Sequence, residues 1–355
     1  MALRVIQWAT GATGRHALRL IIEHPDLELV GLIVTNPDKA GRDAGELCGL
    51  GPVTGVLATT DVDAALAVPA DCVAYLPLPS ARVRDDASHD EGVITELLAS
   101  GLNVVTTVGY LYPKAYGADV VARLESACHT GRTSLHGTGA NPGFLAELLP
   151  LTFTAMSARI DRITVVESSE FARYPSAEVI LGMMELGAPP ERFSGLHSSY
   201  GRWLGGLFAE SIHLIADTLE VPLARIDAEL DIELADEGFD IAAGRIEAGT
   251  VAAQRWRWTG IAAATEEPFV VQEAVYKASA AVGTGWAATG MTMRIDGRPT
   301  FTLSQDHGWL GNGLLATAAH LVHAIAPVCG SAPGIVTLTD LGLLRATGAT
   351  AHLRP

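Results

Sequence analysis

The sequence predicts an α/β protein with two domains: an N-terminal doubly wound parallel sheet and a second α+β domain with a mixed or antiparallel sheet. The chain has 355 residues, which is too long for one ordinary domain and comfortable for two. Short apolar runs alternate with helical patterns up to about residue 141, as in parallel sheets covered by helices on both faces. Beyond that point, several long strand-like runs follow one another without intervening helices.

The elements of the first domain follow from this alternation. The segment Ala81–Ser100 reads as a helix because Gly101 provides a usual C-terminal stop. We predict strands at Leu3–Trp8, Leu27–Val34, Asp71–Leu76, Asn103–Thr107 and Thr133–Gly137, and further helices at Thr13–His24 and Tyr116–Thr130.

The second domain is predicted to cover residues 142–312, after a first domain at 1–141. Asp296-Gly297 predicts a hairpin turn, because this pair supplies the positive φ that tight turns need. The helix Leu314–Ile325 lies in a C-terminal segment, 313–355, that is expected to return to the first domain. We predict strands at Ile160–Phe171, Ile226–Leu234, Val251–Ala264, Val270–Ala278, Met291–Asp296 and Thr300–Ser304, and helices at Gly143–Met156, Ser176–Leu186 and Trp203–Leu219.

Composition and charge exclude several classes of protein. Hydrophobic residues make up 48% and charged residues 18%, so the chain is not disordered. The formal net charge of -16 argues against nucleic-acid and anionic-membrane partners, because both need a basic face. No apolar run approaches the roughly 20 residues that span a bilayer, and the first residues lack a signal-peptide pattern. The four cysteines form no CxxC pair, so we expect buried thiols in a cytoplasmic protein.

A glycine-containing turn between the first strand and the first helix has the pattern of a dinucleotide fingerprint. Gly11 lets the backbone approach a pyrophosphate, and Gly14 lets the helix pack closely on the sheet. The helix N-terminus offers free N–H groups to phosphates, although a tight turn without a ligand is the alternative. The predicted cofactor-binding residues of this Rossmann turn are Ala9, Thr10, Gly11, Ala12, Thr13, Gly14 and Arg15.

The end of the second strand favours NADP(H) as the cofactor, with NAD(H) possible. An NAD site usually places an acid there to hold the ribose diol. This chain has Thr35 and Asn36 instead, and Lys39 and Arg42 follow, which suits a 2′-phosphate. The alternative for the two cations is an exposed loop with ordinary surface charges.

A second glycine-rich turn, Gly137–Phe144, joins the last predicted strand of the first domain to a helix. A turn at the carboxyl edge of a parallel sheet is where a nicotinamide lies. Asn141 is therefore a candidate to bind the carboxamide, or else a helix cap. Thr107 and Val108, at the end of the neighbouring strand, are further cofactor-binding candidates.

Several stretches together resemble the dihydrodipicolinate reductase-like NAD(P)-dependent oxidoreductases, most closely the branch of 2,4-diaminopentanoate dehydrogenase and the native amine dehydrogenases. The resemblance implies a Rossmann domain, a substrate domain whose central sheet contacts another subunit in a homodimer, and hydride transfer at a small carbonyl, imine or amine carbon. The stretches that carry it are Val5–Arg15, Gly41–Leu47, Asn103–Thr107, Gly137–Phe144, Leu314–Ile325 and Ala332–Ile335.

One departure from this family bears on the chemistry. Amine dehydrogenases of the branch place a glutamate just after the strand that matches Asn103–Thr107, where it handles ammonia and the iminium. This chain has Val108–Lys114 there, without a carboxylate. We therefore expect carbonyl or imine reduction to exceed ammonia-dependent amination, which remains an alternative. A dinucleotide-binding regulator without activity is another alternative.

Reduction by hydride needs a proton donor near the developing negative charge. Tyr110 and Tyr112 follow the strand beside the expected nicotinamide, and packing of an interdomain hinge is an equally good interpretation of them. Glu170 and Tyr174 follow the first strand of the second domain, and they also fit a solvated strand end. His197 and the loop Asp306–Trp309 are weaker candidates. His320 and His323 lack a third ligand, so we predict no metal site.

Overall fold

The computed structural model describes residues 2–83, 85–306, 312–346 and 348–353. The chain divides into two compact units, of which one comprises residues 1–144 and 313–355 and the other residues 145–312.

The described part of the first unit begins with six strands and six α-helices, which alternate except that α4 and α5 follow one another. The strands are β1 Leu3–Trp8, β2 Leu27–Ile33, β3 Ala58–Thr59, β4 Cys72–Tyr75, β5 Asn103–Thr106 and β6 Ser134–Gly137. The helices are α1 Ala12–Glu23, α2 Ala44–Cys48, α3 Val62–Leu66, α4 Ser80–Val83, α5 Ser88–Ala99 and α6 Ala118–Gly131.

The second unit is built on longer strands. Its strands are β7 Arg159–Glu170, β8 Leu223–Leu234, β9 Phe239–Ile241, β10 Gly244–Ile246, β11 Val251–Ala262, β12 Pro268–Lys277, β13 Gly290–Arg298 and β14 Phe301–Asp306. Its α-helices are α7 Leu148–Thr154 and α8 Ser199–Thr218, and Glu178–Met183 forms a short π-helix. The chain then enters the first unit again with α9 Gly313–Cys329, β15 Gly334–Ile335 and α10 Leu338–Leu341.

A seven-stranded parallel sheet forms the centre of the first unit, in the order β15-β6-β5-β4-β1-β2-β3. Alternate residues of each strand point to opposite faces, so the sheet supports two cores. Ile6, Val73 and Val104 pack with α5 and α6 on one face. Val5 and Val105 pack with α1 and α9 on the other. Burial of both faces explains why these strands read as continuous apolar runs.

The second unit contains a six-stranded mixed sheet in the order β14-β13-β7-β12-β11-β8. Only β7 and β12 run parallel, and the other neighbours are antiparallel. Trp256 and Trp258 alternate along β11 and face α8, where Phe208 stacks on Trp258 with ring centroids 4.4 Å apart. The neighbouring side chains of β11, Arg255 and Arg257, point to the opposite face. Both units confirm the predicted fold class.

The predicted hairpin is present, because β13 and β14 pair antiparallel up to Ile295 and Phe301, with residues 296–300 between them. The expected positive φ at the Asp296-Gly297 pair is not observed. Both residues lie inside β13, where the pairing with β7 shifts register, and Pro299 and Thr300 connect β13 to β14. A side chain on Gly297 would collide with the carbonyl oxygen of Arg159 on β7. Glycine is therefore needed at position 297 because β7 and β13 approach each other closely at this bulge. Such a bulge is the other common use of glycine in a strand.

Three predicted helices differ from the expectation. The segment Ala81–Ser100 is divided between α4 and α5, and the other two helices are shorter than predicted. The segment Gly143–Met156 contains only α7 in helical form, and Ser176–Leu186 contains only the π-helix. Among the residues that the structure describes, no helix is both long enough and apolar enough to cross a membrane.

Candidate dinucleotide site

The turn between β1 and α1 has the geometry that the fingerprint predicts. Ala9 has a φ of 80°, a conformation that favours glycine, so the alanine adopts the backbone of the missing first glycine. Gln7, which is fully buried, donates from Nε2 to the carbonyl oxygens of Ala9 at 2.8 Å and Gly14 at 2.7 Å. These two hydrogen bonds fix the turn against the first helical turn.

The two remaining fingerprint glycines serve different purposes. A β-carbon on Gly11 would meet no protein atom within 4 Å, so the backbone there faces open space. A β-carbon on Gly14 would lie 2.6 Å from the carbonyl oxygen of Ala9, which requires glycine for close packing of α1 on the turn. The open space at Gly11, beside the N-terminus of a 12-residue helix, suits a pyrophosphate. The residues present therefore fit a dinucleotide.

A cavity of about 460 Å³ opens beside this turn. Lys39 reaches across it, and its ammonium donates to the carbonyl oxygen and the hydroxyl oxygen of Thr10, each at 3.0 Å. The cavity combines three cations with one carboxylate among the described residues that line it. The lining residues are Thr10, Gly11, Ala12, Arg15, Lys39, Arg42, Glu46 and Leu47.

The segment after β2 arranges these charges. Asn36 accepts a hydrogen bond from the Asp38 amide at 2.9 Å, and it caps the 3₁₀ turn Pro37–Lys39. The structure thus gives Asn36 a local structural contact, and neither Thr35 nor Asn36 lines the cavity. Arg42 lies on the cavity 3.8 Å from the carboxylate of Glu46, one helical turn along the chain.

Asp43 fixes α2 beside the cavity, and the sequence analysis missed this residue. Its carboxylate accepts from the amides of Gly45 and Gly55, each at 2.7 Å, and from the hydroxyl of Thr54 at 3.0 Å. Desolvation raises the pKa of Asp43, but these hydrogen bonds outweigh it and hold the pKa below its ordinary value. Two of the three residues that donate to Asp43, Thr54 and Gly55, lie more than ten positions away, which no short pattern reveals.

The carboxyl ends of β5 and β6 bring the second set of predicted residues to one edge of the sheet. Thr106 donates from its hydroxyl to the carbonyl oxygen of Tyr75 at 2.9 Å and accepts from the Val108 amide at 3.2 Å. The Thr107 amide also donates to Tyr75, at 3.4 Å. Asn141 lies in the turn that follows β6, at the same edge. This edge is the usual place for a nicotinamide.

Two histidines, the buried His136 and the half-buried His320, contact residues near that edge. The Nδ1 of His320 lies 2.7 Å from the hydroxyl of Thr138, and the Nδ1 of His136 lies 2.7 Å from the carbonyl oxygen of Val336. Burial lowers the pKa of each imidazole to about 4. Both rings are therefore neutral at pH 7. Among the described residues, no group of three His, Cys, Asp or Glu side chains is placed to hold a metal ion.

The tyrosines after β5 differ in their surroundings. Tyr110 is 7% exposed, and its ring centroid lies 5.8 Å from that of Tyr116. Tyr112 is half-buried, and the ammonium of Lys114 lies 6.0 Å from the centroid of its ring. Packing therefore accounts for most of the Tyr110 side chain, whereas Tyr112 is more accessible.

The predicted catalytic residues of the second unit have local contacts. Glu170 ends β7, is exposed, and accepts a hydrogen bond from the Ala172 amide at 3.0 Å. Tyr174 is half-buried and contacts the ring of Phe171. His197 ends a 3₁₀ turn and is exposed. These contacts assign no catalytic role, so all three stay predictions. The candidates His307 and Trp309 lie outside the described residues.

Comparison with known proteins identifies the family. The sequence model of the 2,4-diaminopentanoate dehydrogenase C-terminal domain matches residues 144–353, which is more than half of the chain. The chain belongs to this dehydrogenase family. The model of the dihydrodipicolinate reductase N-terminus matches residues 5–83, the segment with the fingerprint and the cavity. Both matches confirm the resemblance seen in the sequence.

The similar proteins are dehydrogenases and reductases. An amine dehydrogenase of Streptomyces virginiae is 30% identical, with 98% of each chain covered. A 4-hydroxy-tetrahydrodipicolinate reductase of Mastigocladus laminosus is 35% identical over 18% of this chain and 23% of its own length. The amine dehydrogenase structure from Mycobacterium smegmatis shares the fold, with a TM-score of 0.77, 19% identity and 97% of each chain covered. The chain is thus an NAD(P)-dependent oxidoreductase with a small-molecule substrate, as predicted.

Proposed function

We propose that this oxidoreductase prefers NADP(H) to NAD(H). The observation that carries the proposal is the group of three cations, Arg15, Lys39 and Arg42, around the cavity beside Gly11. No acid ends β2, so the position that usually holds a ribose diol lacks its carboxylate. The pyrophosphate of the cofactor would lie at Gly11 and the 2′-phosphate near Lys39 and Arg42.

The magnitude follows from the kind of bond. A charge-assisted hydrogen bond to a phosphate contributes about 1.5–3 kcal/mol, which is roughly tenfold to a hundredfold in affinity. Fluorescence titration of the protein with NADPH and with NADH measures the ratio. Lys39→Met should lower the affinity for NADPH more than that for NADH. Arg19→Met, on the exposed side of α1, is the matched control for loss of one positive charge. Equal or tighter binding of NADH by the wild type would contradict the proposal.

We also propose that the enzyme reduces a small carbonyl or preformed imine faster than it carries out ammonia-dependent amination. The supporting observation is the stretch Val108–Lys114 after β5, which has no carboxylate where the resemblance implies a glutamate. Val108 is 5% exposed, and its amide is held by Thr106. A carboxylate positioned to accept protons from an attacking amine typically contributes about 10²–10⁴-fold in rate.

The chain's own residues would supply the proton. When bound, the cofactor supplies a hydride to the electrophilic carbon. We propose Tyr112 as the donor to the resulting oxygen or nitrogen, because it is more accessible than Tyr110 and lies on the same loop after β5. Glu170 or His197 is the alternative donor. Tyr112→Phe should lower kcat strongly, whereas Tyr116→Phe, on the same loop, serves as the control.

Ammonia-dependent amination is the second candidate function, because the relative of S. virginiae that matches along nearly the whole chain is an amine dehydrogenase. A panel of ketones and aldehydes with NADPH, with and without ammonium at matched ionic strength, separates the two functions. Turnover without ammonium supports carbonyl reduction. Turnover that appears only with ammonium and yields the amine would overturn that proposal in favour of amination.

We further propose a homodimer that forms through the sheet of the second unit. The face of this sheet opposite α8 carries ion pairs such as Arg257–Glu273 at 2.8 Å and Arg255–Asp231. The Glu273 side chain in this face is 12% exposed, so its charge is already partly removed from water. We propose that the same face of a second copy packs against these ion pairs. Light scattering at micromolar concentration tests the assembly, and a single 37.2 kDa species would contradict it.

The free cysteines support a cytoplasmic location.

A further inference from the structure

Glu46 is the one carboxylate among the described residues that line the cavity, and its position among three cations calls for an explanation. It lies 3.8 Å from the guanidinium of Arg42, and its side chain is 39% exposed. Lys39, in contrast, is held by two neutral oxygens of Thr10. The two cations proposed to meet a 2′-phosphate are therefore not equivalent, because only Arg42 has an anionic neighbour there.

The fold holds Glu46 in this place. It lies in the first turn of α2, three residues after Asp43, whose carboxylate is fixed by the amides of Gly45 and Gly55. A β-carbon on Gly45 would collide with the carbonyl oxygen of Gly51, so the helix sits tightly against the segment that follows it. A short helix anchored in this way keeps the Glu46 backbone beside the cavity whether or not a ligand is bound.

We infer that Glu46 sets the balance between the two dinucleotides. This inference rests on the proposed function, in which the cavity takes the adenosine ribose. A 2′-phosphate carries about 1.5 to 2 negative charges at pH 7, so it competes with Glu46 for Arg42 and is repelled by its carboxylate. The 2′-hydroxyl of NAD(H), however, donates to a carboxylate. Glu46 thus restrains the preference for NADP(H) and supplies the acid that the end of β2 lacks.

Glu46→Gln tests this role because it removes the charge and keeps the size of the side chain. The probes are adenosine 2′,5′-bisphosphate and adenosine 5′-monophosphate, followed by NADP⁺ and NAD⁺, titrated by calorimetry. We expect the two ligands with a 2′-phosphate to bind about three- to tenfold more tightly, as for removal of a screened repulsion at a surface. The two ligands with a free 2′-hydroxyl should bind equally or more weakly.

Glu23→Gln is the matched control. Glu23 forms the same type of i,i+4 ion pair, with Arg19 at 3.1 Å, and does not line the cavity. This control should leave the ratio of the two affinities unchanged. A constant ratio in Glu46→Gln would overturn the inference, including the case in which the melting temperature falls and Glu46 serves only to stabilise α2.

The same experiment separates failure of this inference from failure of the proposed function. If the wild type binds neither adenosine probe nor either dinucleotide, the cavity is not a dinucleotide site and both proposals fall. If the wild type binds NAD⁺ more tightly but Glu46→Gln shifts the ratio toward NADP⁺, the proposed cofactor preference is wrong and the role of Glu46 stands. Raised salt should weaken the 2′-phosphate ligands most in every variant.

Discussion

Substitution of the two fingerprint glycines should separate cofactor binding from folding. Gly11 has a φ of −67°, which any residue adopts, and a β-carbon there meets no protein atom within 4 Å. Gly11→Val should therefore change the free energy of unfolding by no more than about 1 kcal/mol, the scale of a change at a helix N-cap. The branched side chain would fill the space that the pyrophosphate needs. Loss of one charge-assisted contact costs about 1.5–3 kcal/mol, so NADPH affinity should fall roughly tenfold to a hundredfold or more.

Gly14→Ala should have the opposite effect on stability. The new β-carbon would lie 2.6 Å from the carbonyl oxygen and 3.1 Å from the carbonyl carbon of Ala9, and both are backbone atoms. Neither atom can swing away as a flexible side chain could, so α1 must shift. Overpacking of this kind costs about 1–3 kcal/mol, which lowers the melting temperature of a domain of this size by several degrees.

Thermal unfolding with and without NADPH, together with a fluorescence titration, distinguishes the two variants. Gly11→Val should melt close to the wild type and lose the stabilisation that NADPH gives the wild type. Gly14→Ala should melt earlier. Normal NADPH binding by a folded Gly11→Val protein would show that the turn is not the phosphate site. An unchanged melting temperature for Gly14→Ala would refute the packing argument.

Three further predictions concern stability. Burial lowers the pKa of His136 and His320 to about 4 from the ordinary 6.5, so the unfolded chain binds more protons than the folded chain between these pH values. Lowering the pH from 7 to 5 should therefore reduce the free energy of unfolding by about 2 kcal/mol per histidine. Urea unfolding of the wild type, of His136→Gln and of the exposed-site control His129→Gln measures this change. Asp43→Ala should lower the free energy of unfolding by about 1–3 kcal/mol and weaken NADPH binding, because α2 loses its cap. Thermal unfolding and the fluorescence titration with NADPH measure the two effects. Phe208→Ala should destabilise the second unit by about 3–5 kcal/mol through loss of the stack on Trp258, and unchanged denaturant unfolding would contradict it.

The sequence predicted the backbone geometry of the β1–α1 turn because all of that information is local, and the role of this turn in cofactor binding stays a prediction. The positions of Ala9, Gly11 and Gly14 are fixed by the spacing between a strand and the helix that follows it. The roles of Gln7, Asp43 and Glu46 were not predicted from the sequence, and the reason is physical. Gln7 reads as one residue of a buried strand, and two of the three partners of Asp43 lie near residue 54, so the roles of both depend on contacts that spacing does not encode.

The hairpin at Asp296-Gly297 was predicted, but its local backbone was not, for a related reason. The same dipeptide suits a tight turn and a bulge, and the choice depends on the strand that pairs with it. Here β7 runs beside β13 as far as Arg159, so pairing continues past Gly297. The tyrosines after β5 show the same limit, since the sequence placed both on one loop and only the structure distinguishes the buried Tyr110 from the more accessible Tyr112.

The return of α9 and β15 to the first unit has a consequence for biosynthesis. Leu321 and Ile325 of α9 complete the core that also contains Val5 and Val105, and β15 adds the edge strand beside β6. A ribosome delivers these pieces more than 300 residues after β1. During translation, one face of the nascent N-terminal sheet therefore has only α1 to cover it until the last part of the chain emerges, and the remaining apolar surface is exposed to aggregation for that period. For the same reason, expression of residues 1–144 alone should give an aggregating fragment, whereas joining residues 313–355 to it by a short linker restores the missing helix.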